Sequence, residues 1–180
     1  MIKKTHQNKK TSGKLVGHKD QRIGVFVDTQ NMYHSARSLF GSRVNFKEVL
    51  DAAVAGRVLI RAITYVISTE GGEEKTFFEA MEKFGFEIKE KDLQIFPGGM
   101  KKADWDVGLA VDTIKLADKL DVIVIVSGDG DYEPLVEYLK VNKGCRVEVM
   151  AFGDSTSARL IDIADSFTDL GEDKKKFLIK

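Results

Sequence analysis

From residue 22 onward, short apolar runs alternate with stretches whose apolar residues recur every three or four positions. The run Val122-Ile-Val-Ile-Val126 is apolar at every position, as suits a strand covered on both faces. This pattern predicts strands over 23–28, 58–67, 86–89, 122–126 and 146–152. It predicts helices over 31–40, 46–55, 73–84, 105–120 and 133–142, with a last one near 156–164. Gly85 and Gly144, each just before a predicted strand, suit the residue that ends a helix. Regular alternation of strand and helix builds a mainly parallel sheet with helices on both faces. The expected fold class is therefore α/β, a three-layer α/β/α, Rossmann-like arrangement.

At 180 residues and 43% hydrophobic content the chain suffices for one well-buried domain. Residues 1–20 are polar and basic, with Leu15 and Val16 the only aliphatic residues after Ile2, and are expected to form a flexible tail. Its lysines are either solvated or in contact with phosphates. The domain is expected over 21–171, followed by a charged C-terminal tail over 172–180. The 28 basic residues equal the 28 acidic ones, so any surface that holds nucleic acid is local rather than a global positive field. Cys145 is the single cysteine, which excludes an intramolecular disulfide and a multi-cysteine metal site, and its apolar setting reads as core. No apolar stretch has the length of a membrane span and the N-terminus lacks the apolar block of a secretory signal, so a cytoplasmic protein is expected.

The chemistry lies in acids at strand ends. Asp28 ends the first strand, Asp106 enters a helix, and Ser127-Gly-Asp129-Gly-Asp131 follows the strand 122–126. Ligands of open parallel sheets sit beyond the carboxyl ends of the strands where strand order reverses, and topology would bring these ends together there. Clustered carboxylates repel one another, so a hard divalent cation with oxygen ligands is the expected occupant. Plainer readings exist for each residue. Asp28 suits a helix cap, Asp104 and Asp106 suit a helix N-terminus, and Ser127 suits a loop cap. Asp112 is either the partner of a basic group or an outer member of the acidic cluster, the reading adopted being the outer shell. Asn31, Lys102 and Ser127 are the candidates for substrate contact, Lys101 and Lys102 being otherwise a solvated pair. His34 reads as structural or exposed.

The stretches Val25-Phe-Val-Asp28-Thr-Gln-Asn31, Lys102-Ala-Asp-Trp-Asp106 through Asp112, Val126-Ser-Gly-Asp129-Gly-Asp131-Tyr-Glu-Pro-Leu, and Ser157 through Phe167 occur in an order that resembles the bacterial NYN domain, LabA-like group. The resemblance covers about residues 22–170 and implies a PIN-like nuclease fold with a metal-dependent ribonuclease site. By position it assigns metal binding to Asp28, Asp106, Asp129 and Asp131, and support to Asn31. One departure is that Asp104 and Trp105 lengthen the spacing between Lys102 and the first acid of the helix.

The resulting expectation is a Mg²⁺- or Mn²⁺-dependent ribonuclease acting on single-stranded RNA at Asp28, Asp106, Asp129 and Asp131. Homo-oligomerisation is left open. The alternative is a noncatalytic RNA-binding or regulatory module with the same fold. An aspartyl-phosphate phosphatase is disfavoured because Gln30, not an acid, stands two residues after Asp28.

Overall fold

The computed structural model describes residues 18–68, 75–92, 94–95, 101–102 and 105–180, so most of the predicted basic tail lies outside the described residues. The elements run β1 (Arg22–Asp28), α1 (Thr29–Phe40), β2 (Arg43–Val44), α2 (Phe46–Val54), β3 (Val58–Ser68) and α3 (Lys75–Phe84). There follow β4 (Glu87–Asp92), β5 (Gln94–Ile95), β6 (Lys101–Lys102), α4 (Asp106–Ala117), β7 (Val122–Val126) and α5 (Glu133–Val141). The chain ends with β8 (Arg146–Ala151), α6 (Ala158–Ile163), β9 (Ser166–Asp169), α7 (Lys174–Phe177) and β10 (Leu178–Ile179).

Six strands form one sheet in the order β4-β3-β1-β7-β8-β9, and every pairing in it is parallel. Alternate residues of each strand face opposite layers, and each face is apolar. Ile23, Val25 and Val27 of β1, with Val122, Val124 and Val126 of β7, pack among Met32, Ala36, Val49 and Leu50 of α1 and α2. Phe26, Ile123 and Ile125 face the other way, among Leu109, Val136, Leu139 and Leu160 of α4, α5 and α6. This is the three-layer α/β/α fold expected. Among the described residues, no helix is long and apolar enough to cross a membrane.

Local chemistry explains the boundaries. Asn45 caps α2 through its side chain, accepting from the Glu48 N–H, and Gly41 ends α1 in the left-handed conformation at φ 60°. A buried ion pair joins the turn before β3 to β8: Arg57 donates to both carboxylate oxygens of Glu148, at 3.0 and 2.9 Å, and to the Ala53 carbonyl.

Two parts of the sequence reading are corrected. A sixth strand, β9, extends the sheet past β8, where four half-buried residues gave too short a pattern to register. Residues 172–180 are not a loose tail: Phe177 enters the core, β10 pairs antiparallel with β2, and the Asn45 N–H donates to the Phe177 carbonyl at 2.8 Å. The charges of Glu172 through Lys176 obscure the apolar Phe177-Leu-Ile179 that does the packing.

Candidate active site

Strand order reverses between β1 and β7, which are direct neighbours, and the candidate acids gather beyond their carboxyl ends. Asp28 closes β1 and at the same time caps α1, one carboxylate oxygen accepting the Asn31 N–H at 3.0 Å. The other oxygen faces the Ser127 hydroxyl at 3.4 Å and the Tyr132 hydroxyl at 3.3 Å. Asp106 is the first residue of α4, and the Tyr132 hydroxyl lies 3.0 Å from its Oδ1. Asp129 caps the short 3₁₀ turn Gly130–Tyr132 by accepting the Asp131 N–H at 3.0 Å, and its own N–H donates to the Ser127 hydroxyl at 3.2 Å. One oxygen from each of Asp28, Asp106 and Asp129 lies within 4.8 Å of the others.

Asn31 ties the two halves of the site together, its Oδ1 accepting the Gly128 N–H at 2.9 Å. The glycines of this loop serve close approach rather than a special backbone turn. A Cβ on Gly128 would lie 2.8 Å from the Thr156 hydroxyl and 3.1 Å from the Ser155 carbonyl oxygen, and one on Gly130 would lie 2.9 Å from the Ser157 hydroxyl. The acidic loop is thereby clamped on residues 155–157.

A cleft of about 210 Å³ opens over the acids, lined by Asp28, Gln30, Asn31, His34, Tyr65, Trp105, Asp106 and Asp129. Burial holds the Asp28 carboxyl above its ordinary range, and the Asp106 and Asp129 charges push the same way against the Asn31 N–H and the Tyr132 hydroxyl. Burial, with the Asp28 and Asp106 charges, keeps the Tyr132 hydroxyl protonated far above its normal range. It has one proton for two carboxylates, so it bonds to one at a time. The donor set fits a divalent cation of the Mg²⁺ or Mn²⁺ kind: three hard carboxylate oxygens converge, one on a buried aspartate, and no lysine or arginine lines the cleft among the described residues.

The other predicted residues divide. Ser127 is fully buried and supports the acids. Asp131 is exposed and outside the group of three carboxylates, its N–H rather than its side chain serving the site. Asp112 takes the basic-partner alternative: it pairs with Lys89 at 2.6 Å and accepts from the Tyr65 hydroxyl at 3.0 Å. Among the described residues, it reaches the cleft through Tyr65, which lines it. The backbone of Lys102 pairs with Gln94 in a two-stranded ribbon, while its side chain and Asp104 lie outside the described residues. His34 is exposed, as one reading had it, and borders the cleft. Tyr132, Gln30, Tyr65 and Trp105 were missed as parts of the site. Only Trp105 and Tyr132 carried a signal, each being chain neighbour to a candidate acid.

Comparison with known proteins agrees with this architecture. The NYN domain matches over residues 22–171. The low amplitude and bright protein LabA of Synechococcus elongatus is 25% identical over 160 residues, covering 84% of each chain. A crystal structure of a protein of unknown function from Vibrio parahaemolyticus superposes with a TM-score of 0.82 at 30% identity, covering 91% of this chain and 99% of that one. With its sheet order, its acids at the strand reversal and this match, the chain belongs to the NYN domain family, in the LabA-like group of the PIN-like nuclease superfamily.

Proposed function

We propose that this protein is a metal-dependent ribonuclease that hydrolyses phosphodiester bonds of single-stranded RNA, in the cytoplasm, at Asp28, Asp106 and Asp129. The observation that carries the proposal is the convergence of these three carboxylates within 4.8 Å at the strand reversal, in a domain of a nuclease superfamily. When bound there, Mg²⁺ or Mn²⁺ supplies Lewis-acid activation of water and neutralisation of charge on the phosphate. Asp28, Asp106 and Asp129 hold the cation. Asn31 and Ser127 fix the loop that presents Asp129, and Tyr132 keeps Asp28 and Asp106 in register. Asp131 supports the loop, and Lys102 is proposed as a phosphate contact.

The test is cleavage of a labelled single-stranded RNA by purified protein with Mg²⁺ or Mn²⁺, with chelator, and with Asp129→Asn. Cleavage that needs the metal and falls at least about 100-fold in the variant, with RNA binding retained, is the expected outcome. Equal cleavage by both proteins overturns the mechanism. Binding without cleavage by either assigns the domain to the noncatalytic class.

A further inference from the structure

Trp105 is the single tryptophan of the chain and stands immediately before Asp106. It is partly exposed and lines the cleft together with the three acids. Its indole is held from several sides. The ring N–H donates to the Val66 carbonyl at 2.7 Å, and Tyr65 packs against the ring at a centroid distance of 5.4 Å. Gly108 leaves room for the six-membered ring, since a Cβ there would lie 2.5 Å from Trp105 Cε3. The exposed Lys91 places its ammonium 5.5 Å from the ring centroid. His34 and the amide of Gln30 line the same cleft.

A rigid indole beside a phosphodiester-cleaving centre has the chemistry of a base platform. Aromatic faces stack nucleobases of any sequence, and an anchored ring loses little freedom on doing so. The Gln30 amide offers both a donor and an acceptor to a base edge. The cleft, at about 210 Å³, is below the span of drug-sized sites and suits one nucleotide unit. The exposed Lys91 ammonium beside the indole places a positive charge where the backbone of a bound strand would run. We infer that Trp105 is the stacking platform of a nucleobase subsite, with Gln30 and His34 as its other walls, that seats one unpaired base of the RNA beside the acidic cluster. The inference rests on the ribonuclease reading for its substrate.

Because the chain has no other tryptophan, fluorescence excited on the red side of the tyrosine absorption reports this ring alone. The full-length protein is titrated with a single-stranded oligoribonucleotide and with an abasic ribose-phosphate oligomer of equal length, in chelator and in Mg²⁺. Binding is followed in parallel by anisotropy, and cleavage products are read from the same samples. The base-bearing oligomer should quench the emission saturably while the abasic one binds without quenching. Trp105→Ala should weaken binding of the base-bearing oligomer by roughly 5- to 100-fold and leave the abasic one nearly unchanged, and Trp105→Phe should retain most of the affinity. Equal quenching by both oligomers, or RNA binding with no quenching, overturns the subsite and leaves the nuclease reading standing if products form. Base-dependent quenching without products in Mg²⁺ supports the subsite and overturns catalysis. Absence of RNA binding by anisotropy under both conditions overturns both.

Discussion

Asp28 answers two descriptions at once. The sequence offered a helix cap or a metal ligand, and the structure has one oxygen on the Asn31 N–H, the other facing the Ser127 and Tyr132 hydroxyls, and the carboxylate among the three that converge. That division sets a sign for stability. The native carboxyl binds its proton more tightly than the unfolded one, because burial and two neighbouring acids disfavour its charge. Its cost to the native state is therefore present at neutral pH and disappears as pH falls through the native pKa toward the unfolded value. Asp28→Asn keeps the capping oxygen and removes the charge. Thermal melts without metal should show the variant more stable than wild type near neutral pH, with the gap closing at about pH 4. Adding Mn²⁺ should raise the wild-type Tm and leave the variant nearly unmoved. A gap that widens on acidification would contradict the assignment. The acids themselves were legible because residue type and strand-end position suffice to single them out. Tyr132 was not, because its role is set by where a side chain reaches across the site. Asp112 misled for the same reason, since helical spacing places it on a face without saying that Lys89 of a strand meets it there.

Among elements, the long ones were readable and the short ones were not. β7 and β1 declare themselves by continuous apolar runs, α2 and α5 by their periodicity, whereas β2, β9 and β10 span too few residues for any period to emerge. Elements are also joined by contacts that no pattern predicts. Arg57 and Glu148 are 91 residues apart and meet inside the layer formed by α1 and α2, with side-chain exposures of 4% and 6%. Glu148 also accepts from the exposed Arg146 Nε at 3.0 Å, so removing Arg57 leaves a buried carboxylate with one cationic partner in place of two. Arg57→Met should therefore cost less in urea unfolding than a wholly uncompensated buried charge, which costs about 3–5 kcal/mol. Arg57→Met with Glu148→Leu should recover most of that loss by replacing the pair with apolar contacts and leaving the exposed Arg146 to solvent. If the double variant is as unstable as the single one, the loss reflects packing of the turn before β3 rather than the under-compensated Glu148 charge.

For the whole molecule, alternation of strand and helix indicated a parallel sheet. It placed β1 beside β7, and hence Asp28 beside Asp129, on the condition that strand order reverses there, which the order β4-β3-β1-β7-β8-β9 meets. The chain's closing segment escaped the same logic. Its lysines dominate its composition, but Phe177 is 6% exposed in the core shared with α1 and α2, and β10 extends β2 in the connection between those helices. The helix α1 carries Gln30, Asn31 and His34 of the cleft, so the C-terminus braces one wall of the site from behind. The two ends of the chain should then behave oppositely on truncation. Deleting residues 1–17, whose composition offers few apolar groups, should leave the urea midpoint unchanged, and should make RNA binding less salt-dependent if those lysines meet phosphates. Deleting residues 174–180 should lower stability by about 3 kcal/mol or more, the order of an aromatic side chain lost from a core, and Phe177→Ala alone should reproduce most of it. A Phe177→Ala protein with wild-type stability would mean that the strand pairing of β10, not the buried ring, holds the C-terminus in place.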